Sequence, residues 1–453
     1  MALSNKNLLL MTDSYKVTHH VQYPPKTQFV FSFFESRGGA FPRALFFGLQ
    51  YLLKQYLEGQ VVTEQKIVEA REFFRAHFGS TDLFNEYGWR HILDRYNGHL
   101  PIRIRAVPEG TLVPNHNVLM TVENLDQMVP WLTNYLETLL VQVWYPTTVA
   151  TQSQAMKRTI MKFLEETGDP ALIPFKLHDF GYRGSTSVES AGIGGAAHLV
   201  NFMGTDTMEA LVVARDYYGE PMAGFSIPAA EHSTVTSWAR EVDAFDNMLQ
   251  QYPSGLVAVV SDSYNIYEAC EKLWGEELRD KVLNRNGTLI VRPDSGTPEE
   301  VVVKVLTILG ARFGYSINEK GYKVLDPHVR VIQGDGIDRL SLMDILANMK
   351  IHGWSADNIA FGSGGGLLQK VNRDTLRFAF KCSAVCVDGE WRDVMKNPVT
   401  DVSKRSKAGR LGLLPGYLTV PNVPDTENLL KVVFENGRLT RPTTLAEVRS
   451  LAG

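Results

Sequence analysis

"GTLIVRPDSGTPEEVVVKVLTILGARFG" (Gly287–Gly314) holds one structural unit from end to end. A short β-rich run through Leu289, Ile290 and Val291 stops at Arg292, Asp294 and Gly296, and an amphipathic helix begins directly behind it. The order recurs in "GLVAVVSDSY" (Gly255–Tyr264), "HVRVIQGDGID" (His328–Asp338) and "NIAFGSGGG" (Asn358–Gly366). Earlier, "FKLHDFGYRG" and "AGFSIPAAEHS" end in the same way. Strands buried on both faces read as continuous apolar runs, and repeated strand–helix units build either a barrel or a doubly wound sheet. The barrel is the expected form.

Either form binds its ligands at the carboxyl ends of the strands. Arg183, Asp262, Arg292, Asp294, Asp335 and the cluster Gly362–Gly366 all stand there in their units, so they are expected on one rim. The flanks read differently. "TEQKIVEAREFFRAHFG" (Thr63–Gly79) predicts a helix with Ile67, Ala70, Phe73, Phe74 and Phe78 close to an apolar stripe and Gly79 as its C-cap. "WLTNYLETLLVQVWY" (Trp131–Tyr145) predicts another helix. "FAFKCSAVCVDGEWRDVMK" predicts a hairpin turning at Asp388-Gly389. The expected organisation is an N-terminal α+β domain over residues 1–165, a barrel over 166–370, and a segment 371–453 that returns to the N-terminal domain.

Composition narrows the class. The 453 residues carry a net charge of −4, which offers no global field for nucleic acid or a membrane surface. Three cysteines, Cys270, Cys382 and Cys386, form no CxxC pair and read as reduced thiols of a cytoplasmic protein. The opening "MALSNKNLLLMTDSYK" has only a brief apolar run, broken by Asp13, so neither a signal peptide nor a membrane span is expected.

The rim residues carry the chemistry. Adjacent glycines after a strand let backbone N–H groups approach an oxyanion, although such clusters are often only tight turns. "GSGGGL" fits neither a Walker A loop nor a dinucleotide fingerprint. Three carboxylates at equivalent strand ends suit Mg²⁺ or ribose hydroxyls better than three coincident helix caps. Glu231 and His232 in "PAAEHST" stand just before a helix; a lone histidine is most often a structural or surface residue, but one on a rim with these glycines and carboxylates is a better candidate for a nucleophile or a general base. "KRSKAGR" (Lys404–Arg410) is either a solvated loop or a clamp for phosphates. Phe180, Tyr182 and Arg183 offer a flat face with donors for a planar ligand.

Taken in order, "TDSYKVTHH", "QYPP", "LHDFGYRG", "AAHLVNFMGTD", "PAAEHST", "VVSDSY", "IVRPDSG", "VIQGDG" and "IAFGSGGGLLQK" resemble the nicotinamide phosphoribosyltransferases from about Leu8 to about Arg410. The resemblance implies a type II phosphoribosyltransferase α/β barrel, with an additional α+β domain formed by the N-terminal and C-terminal segments. It implies transfer of the phosphoribosyl group of 5-phosphoribosyl 1-pyrophosphate to nicotinamide in NAD salvage, with Mg²⁺ and with ATP as activating co-substrate. It also implies a homodimer with active sites at the interface. Phe180 and Tyr15 of the partner subunit would sandwich the pyridine ring. Asp206 would bind the carboxamide, and Arg183, Arg292, Asp13 and Ser226 would line the same pocket. Asp294, Gly334, Asp335, Gly364, Gly365 and Arg373 would hold the phosphoribosyl group. Arg37, Lys396, Lys404 and Arg410 would take the pyrophosphate and ATP phosphates. His232 would be phosphorylated, oriented by Asp262 and flanked by Glu231, while Asp262 and Asp294 would stand nearest the metal. A short segment after Arg37 and a divergent tail point to a bacterial member. Nicotinate specificity and a non-catalytic nucleotide sensor are the alternatives; Asp206 argues against the first, and His232 with Asp262 against the second.

Overall fold

The structure, a computed structural model, describes residues 7–79, 83–400 and 405–453. It divides into two compact units: Met1–Thr151 with Asp216–Glu220 and Asn372–Gly453, and Gln152–Arg215 with Pro221–Val371.

The second unit contains the repeated strand–helix pattern. Its strands are β1 (Leu177–Asp179), β2 (Gly204–Thr205), β3 (Ser254–Val260), β4 (Asn286–Arg292), β5 (Val329–Gln333) and β6 (Ile359–Ser363). They pair in the order β2-β1-β6-β5-β4-β3, every pair parallel. The two edges are linked through Phe225–Ala229, which bridges Gly204 at one end and Ala258 at the other. Backbone bonds from Thr205 N to Phe225 O (3.1 Å) and from Ala258 N to Pro228 O (2.9 Å) carry that link. The sheet therefore curls toward a barrel. Pro228 lacks an N–H, which keeps this stretch from forming a full ladder.

Apolar side chains fill the curl. Ala258, Ile290 and Ile332, one each from β3, β4 and β5, form a buried cluster with Phe180, Ile227 and Ala360 packed against it. The amino ends of the strands are tied by buried cations. Arg285 donates to the carbonyls of Tyr252, Ser254 and Gly255 at 2.8, 2.9 and 2.7 Å. Lys176 Nζ donates to those of Ala356, Asp357 and Ile359 at 2.9, 3.1 and 2.7 Å. Structural polar pins at one end leave the carboxyl ends free for chemistry.

In the first unit an antiparallel sheet runs Glu390–Asp393, Phe378–Val387, Thr27–Ser36, Val118–Asn124, Ile102–Ala106, Lys431–Glu435 and Arg438–Leu439. Strands from both ends of the sequence thus share one sheet, the α+β domain that the resemblance implies. The strand Thr27–Ser36 buries Val30, Phe33 and Phe34 completely, and Phe34 stacks on Phe378 at 5.0 Å. The predicted hairpin forms, with Val387 opposite Glu390 and with Asp388 and Gly389 at φ 52° and 84°. Paired positive φ values are what a two-residue turn between twisted strands requires.

Of the two helix expectations, the first holds and the second needs correction. The first helix spans Glu64–Phe78 with Thr63 capping Lys66 N and Gly79 at φ 65°, but it buries Ile67, Ala70 and Phe74 and leaves Phe73 56% exposed. Phe73 adjoins the stripe without lying on it. Trp131–Tyr145 is not one helix: it breaks into Leu132–Tyr135, Glu137–Leu140 and a 3₁₀ turn at Val141–Val143, before a long helix Trp144–Thr167. Pro146 has no N–H to donate, so the long helix begins just ahead of it.

Candidate active site

The carboxyl ends of the strands open into a cavity of about 650 Å³. Phe180, Arg183, Asp206, Glu231, His232, Arg292, Asp294, Gly334, Asp335 and Gly364 line it. All ten come from the expectations drawn from the sequence. Tyr182, expected beside Phe180 and Arg183, also lines it, as do Thr207, Ser233 and Val260, which had no assigned role. The volume is that of a site for a small organic ligand.

At one end stands Phe180, just past β1, its N–H held by Ser363 O at 3.0 Å. A Cβ on Gly362 would lie 2.0 Å from the Phe180 ring, and one on Gly334 would lie 3.1 Å from Arg292 Nε and 3.4 Å from the ring. Bare backbone at those positions lets the ring settle into the sheet end. The Arg292 guanidinium stands 5.7 Å from the ring centroid and donates to Asp294 Oδ1 through Nε (3.1 Å) and Nη2 (2.8 Å). Asp206 follows β2, and Ser226 from the closing stretch donates its hydroxyl to Asp206 Oδ1. An aromatic face and an exposed carboxylate thus share this end.

The glycine cluster divides by cause. Gly362 makes room for Phe180, and Gly366 makes room for the Ile337 carbonyl, which a Cβ would approach to 2.4 Å. A Cβ on Gly365 would meet nothing within 4 Å, and its φ lies outside the left-handed region. Neither packing nor a turn accounts for that glycine. Gly364 precedes the short helix Gly365–Leu368, whose first N–H groups have no intrahelical acceptor.

His232 opens the helix His232–Thr236, and the N–H of Glu231 donates to Thr234 Oγ1 at 3.2 Å. His232 Nε2 meets Asp262 Oδ1 at 3.0 Å. Asp262 is nearly buried, and its second oxygen accepts from Asp294 N (3.2 Å) and Ser295 Oγ (2.5 Å). A carboxylate can only accept, so Nε2 carries the proton and Nδ1 keeps its lone pair. The half-exposed imidazole is thereby held as one tautomer with its nucleophilic nitrogen free. Glu241 was not foreseen: burial, then the nearby Asp262 charge, raises its carboxyl to about 7, and its Oε1 is buried without a partner among the described residues. It opens the next helix along the chain, and nothing in the local sequence distinguishes it from an ordinary first-turn acid.

The remaining expected residues belong to the first unit. Tyr15 is 59% exposed, with its ring 5.0 Å from His19, and Asp13 accepts from Thr138 Oγ1 at 2.7 Å. Arg37 Nε donates to the buried Glu35 at 3.0 Å, while its Nη2 is buried without a partner among the described residues. Lys407, within the basic run Lys404–Arg410, meets the other oxygen of Glu35. The Lys396 backbone carbonyl accepts the N–H of Ser406 at 3.0 Å. Arg410 lies 3.7 Å from Glu123 and 4.7 Å over the Trp391 ring, and Arg373 is exposed in a 3₁₀ turn. Lys404 lies outside the described residues. Among the described residues no group of three or more His, Cys, Asp or Glu is placed to hold a metal, and no helix is long and apolar enough to cross a membrane.

A curled parallel sheet with its site at the strand ends, joined in sequence to an α+β domain, defines the class. The Nicotinate phosphoribosyltransferase (NAPRTase) family model matches residues 175–438, and that of the Nicotinamide phosphoribosyltransferase N-terminal domain matches residues 7–104. In fold the chain is similar to nicotinate-nucleotide pyrophosphorylase from Pyrococcus furiosus (TM-score 0.61, 16% identity, 100% of this chain and 96% of that one). It is likewise similar to human Nicotinic Acid Phosphoribosyltransferase (TM-score 0.59, 17% identity, 98% and 93%). The sequence is 53% identical to Nicotinamide phosphoribosyltransferase of Xanthomonas campestris pv. campestris over 98% of both chains. It is 30% identical to that of Acinetobacter baylyi over 98% of this chain and 96% of the other. The chain belongs to the nicotinamide phosphoribosyltransferase family and is a phosphoribosyltransferase enzyme.

Proposed function

We propose that the chain transfers the phosphoribosyl group of 5-phosphoribosyl 1-pyrophosphate to nicotinamide, giving nicotinamide mononucleotide and pyrophosphate in cytoplasmic NAD salvage. The observation that carries this reading is the pairing of Phe180 with the Asp206–Ser226 hydrogen bond at one end of the cavity. A pyridine ring stacks on Phe180, and the carboxamide N–H groups donate to Asp206. Arg183 and Arg292 complete the pocket, with Asp13 and Tyr15 supplied by the partner subunit of a homodimer. On the same rim the ribose hydroxyls meet Asp335, whose neighbour Gly334 lies against the Phe180 ring, and the 5-phosphate approaches Gly364 and Gly365, joined by Arg373. Arg37, Lys396, Lys404 and Arg410 take the pyrophosphate and the ATP phosphates. Displacement at the anomeric carbon passes through a cation-like state, which needs alignment and charge stabilisation and no protein nucleophile.

His232 then serves a separate purpose. Its Nδ1 attacks the γ-phosphorus of ATP, a P–N bond forms as the bond to ADP breaks, and Asp262 stabilises the imidazolium charge through Nε2–H. Negative charge on His232 tightens the pyrophosphate complex, and Glu231 helps fix the start of that helix. Asp262 and Asp294 are the nearest carboxylates for Mg²⁺, which would supply charge neutralisation at the phosphates. Mg²⁺ accepts few carboxylates alongside waters and phosphate oxygens, which suits a site where much of both groups is already engaged.

Nicotinate as acceptor is the second reading, favoured by the family model over residues 175–438. Its carboxylate would face that of Asp206, and like charges repel strongly in a partly dry pocket. Product formation from nicotinamide and from nicotinate tests the choice. Nicotinamide should have the higher kcat/KM, and Asp206→Asn should shift the ratio toward nicotinate. A preference for nicotinate in the unaltered enzyme, or a ratio that Asp206→Asn leaves unmoved, would refute the assignment.

A further inference from the structure

Beneath the ring-binding end lies a carboxyl group for which the transfer reaction has no use. Asp179, the last residue of β1, is completely buried. Its Oδ1 accepts the N–H of Gly181 at 2.7 Å, closing a turn across Phe180. Its backbone carbonyl accepts the N–H of Asp206 at 2.9 Å. Oδ2 has no well-formed hydrogen bond among the described residues, nor has the buried Thr207 hydroxyl beside it. The surroundings are close-packed: a Cβ on Gly195 would come within 2.9 Å of Oδ2, and one on Gly181 within 3.0 Å of Oδ1. Burial holds the carboxyl up at about 6. A lone carboxyl in such a place costs stability, so packing does not explain it. What it does accomplish is geometric. One residue grips the turn that presents the ring and, through its main chain, the loop that presents the acid.

We propose that Asp179 is a positioning residue for pyridine recognition: its carboxylate, by accepting the Gly181 N–H, fixes the turn that presents the Phe180 ring beside the Asp206 loop, which the β1 main chain already holds. The inference rests on the pyridine reading above. Asp179 bonds to no residue assigned to the phosphoribosyl group, and the turn it holds reaches that loop only through the Phe180 N–H to Ser363 O bond (3.0 Å), so the expected effect falls on nicotinamide first. Asp179→Ala loses the acceptor for Gly181 N–H; Asp179→Asn keeps an oxygen in the same place.

Steady-state kinetics with both substrates, together with calorimetric binding of nicotinamide, provides the test. Asp179→Ala should raise the KM for nicotinamide by at least about tenfold and narrow the preference over nicotinate, the KM for phosphoribosyl pyrophosphate staying unchanged. Asp179→Asn should restore the wild-type KM. A variant that melts earlier yet keeps its KM for nicotinamide, a rise in both KM values together, or an Asn variant no better than Ala would overturn the proposal. Should the Ala variant not fold, Asp179→Ser takes its place: its shorter hydroxyl makes a weaker turn, so an intermediate KM is expected and a wild-type KM overturns the proposal. Unaltered enzyme that binds no nicotinamide would bring down the pyridine reading and this inference with it; unaltered enzyme that binds it as tightly as the Ala variant does would bring down this inference alone.

Discussion

A single hydrogen bond, His232 Nε2 to Asp262 Oδ1, decides which nitrogen of the imidazole can act. Removing either partner should therefore have separable effects. His232→Ala should abolish acid-labile, base-stable label from γ-labelled ATP, while the protein folds and weak basal transfer persists. Asp262→Asn should reduce labelling by roughly two orders of magnitude, because the preferred tautomer and the charge on Asp262 are both lost. Equal labelling of His232→Ala and the parent would remove the histidine from the mechanism. Asp179 makes a different prediction at the same scale. Its carboxyl sits at about 6 in the fold against 3.8 for an unperturbed one, so the folded chain keeps a proton that the unfolded chain has shed between those values. The stability from this group is full below the unfolded value and is lost as pH rises through about 6, a change on the order of 3 kcal/mol. Asp179→Asn has no such loss. Its melting temperature relative to the parent should rise between about pH 4 and about pH 7, and a difference that is flat with pH would contradict the assignment.

Among elements, the loop after β6 shows how one motif serves two ends. Gly362 and Gly366 are required by the fold, since a Cβ at either meets the Phe180 ring or the Ile337 carbonyl. Gly365 is not. Gly365→Val should melt like the parent while raising the KM for phosphoribosyl pyrophosphate, at a cost of ~1.5–3 kcal/mol for a lost charge-assisted phosphate contact. Gly362→Ala should instead displace Phe180 and weaken nicotinamide binding. Equal behaviour of the two variants would make the cluster a turn and nothing more. The sequence shows five glycines and serines in a row at this strand end, but not this division of labour, because the neighbours that demand bare backbone lie far off in the chain. Helix boundaries were readable where local chemistry sets them, as with Thr63 and Gly79. They were not readable across Trp131–Tyr145, where apolar residues at helical spacing conceal a series of short turns.

For the whole molecule, the proposed homodimer has a direct test. If Tyr15 of the partner subunit completes the site, inactive Tyr15→Ala mixed with inactive Phe180→Ala should regain activity, because heterodimers hold one unaltered composite site. Up to about a quarter of the parent activity is the ceiling for random exchange, in which half the dimers are mixed and each has one of two sites intact. No recovery, with exchange shown independently, would exclude a shared site. The sequence alone determined the strand–helix repeat, the hairpin at Asp388-Gly389 and the strand-end positions of Arg183, Arg292, Asp294, Asp335 and Gly364, because each rests on local order: apolar runs, turn residues, and polar groups at strand ends; Asp206 and Gly334 came only from the resemblance. Tertiary structure alone decided that Phe225–Ala229 links the sheet edges without forming a regular strand, that Glu241 stands near Asp262, and that buried Asp179 holds both the Phe180 turn and the Asp206 loop. These are contacts between residues far apart in the chain or set by burial. Only the folded packing supplies the distances and the low dielectric that give them consequence.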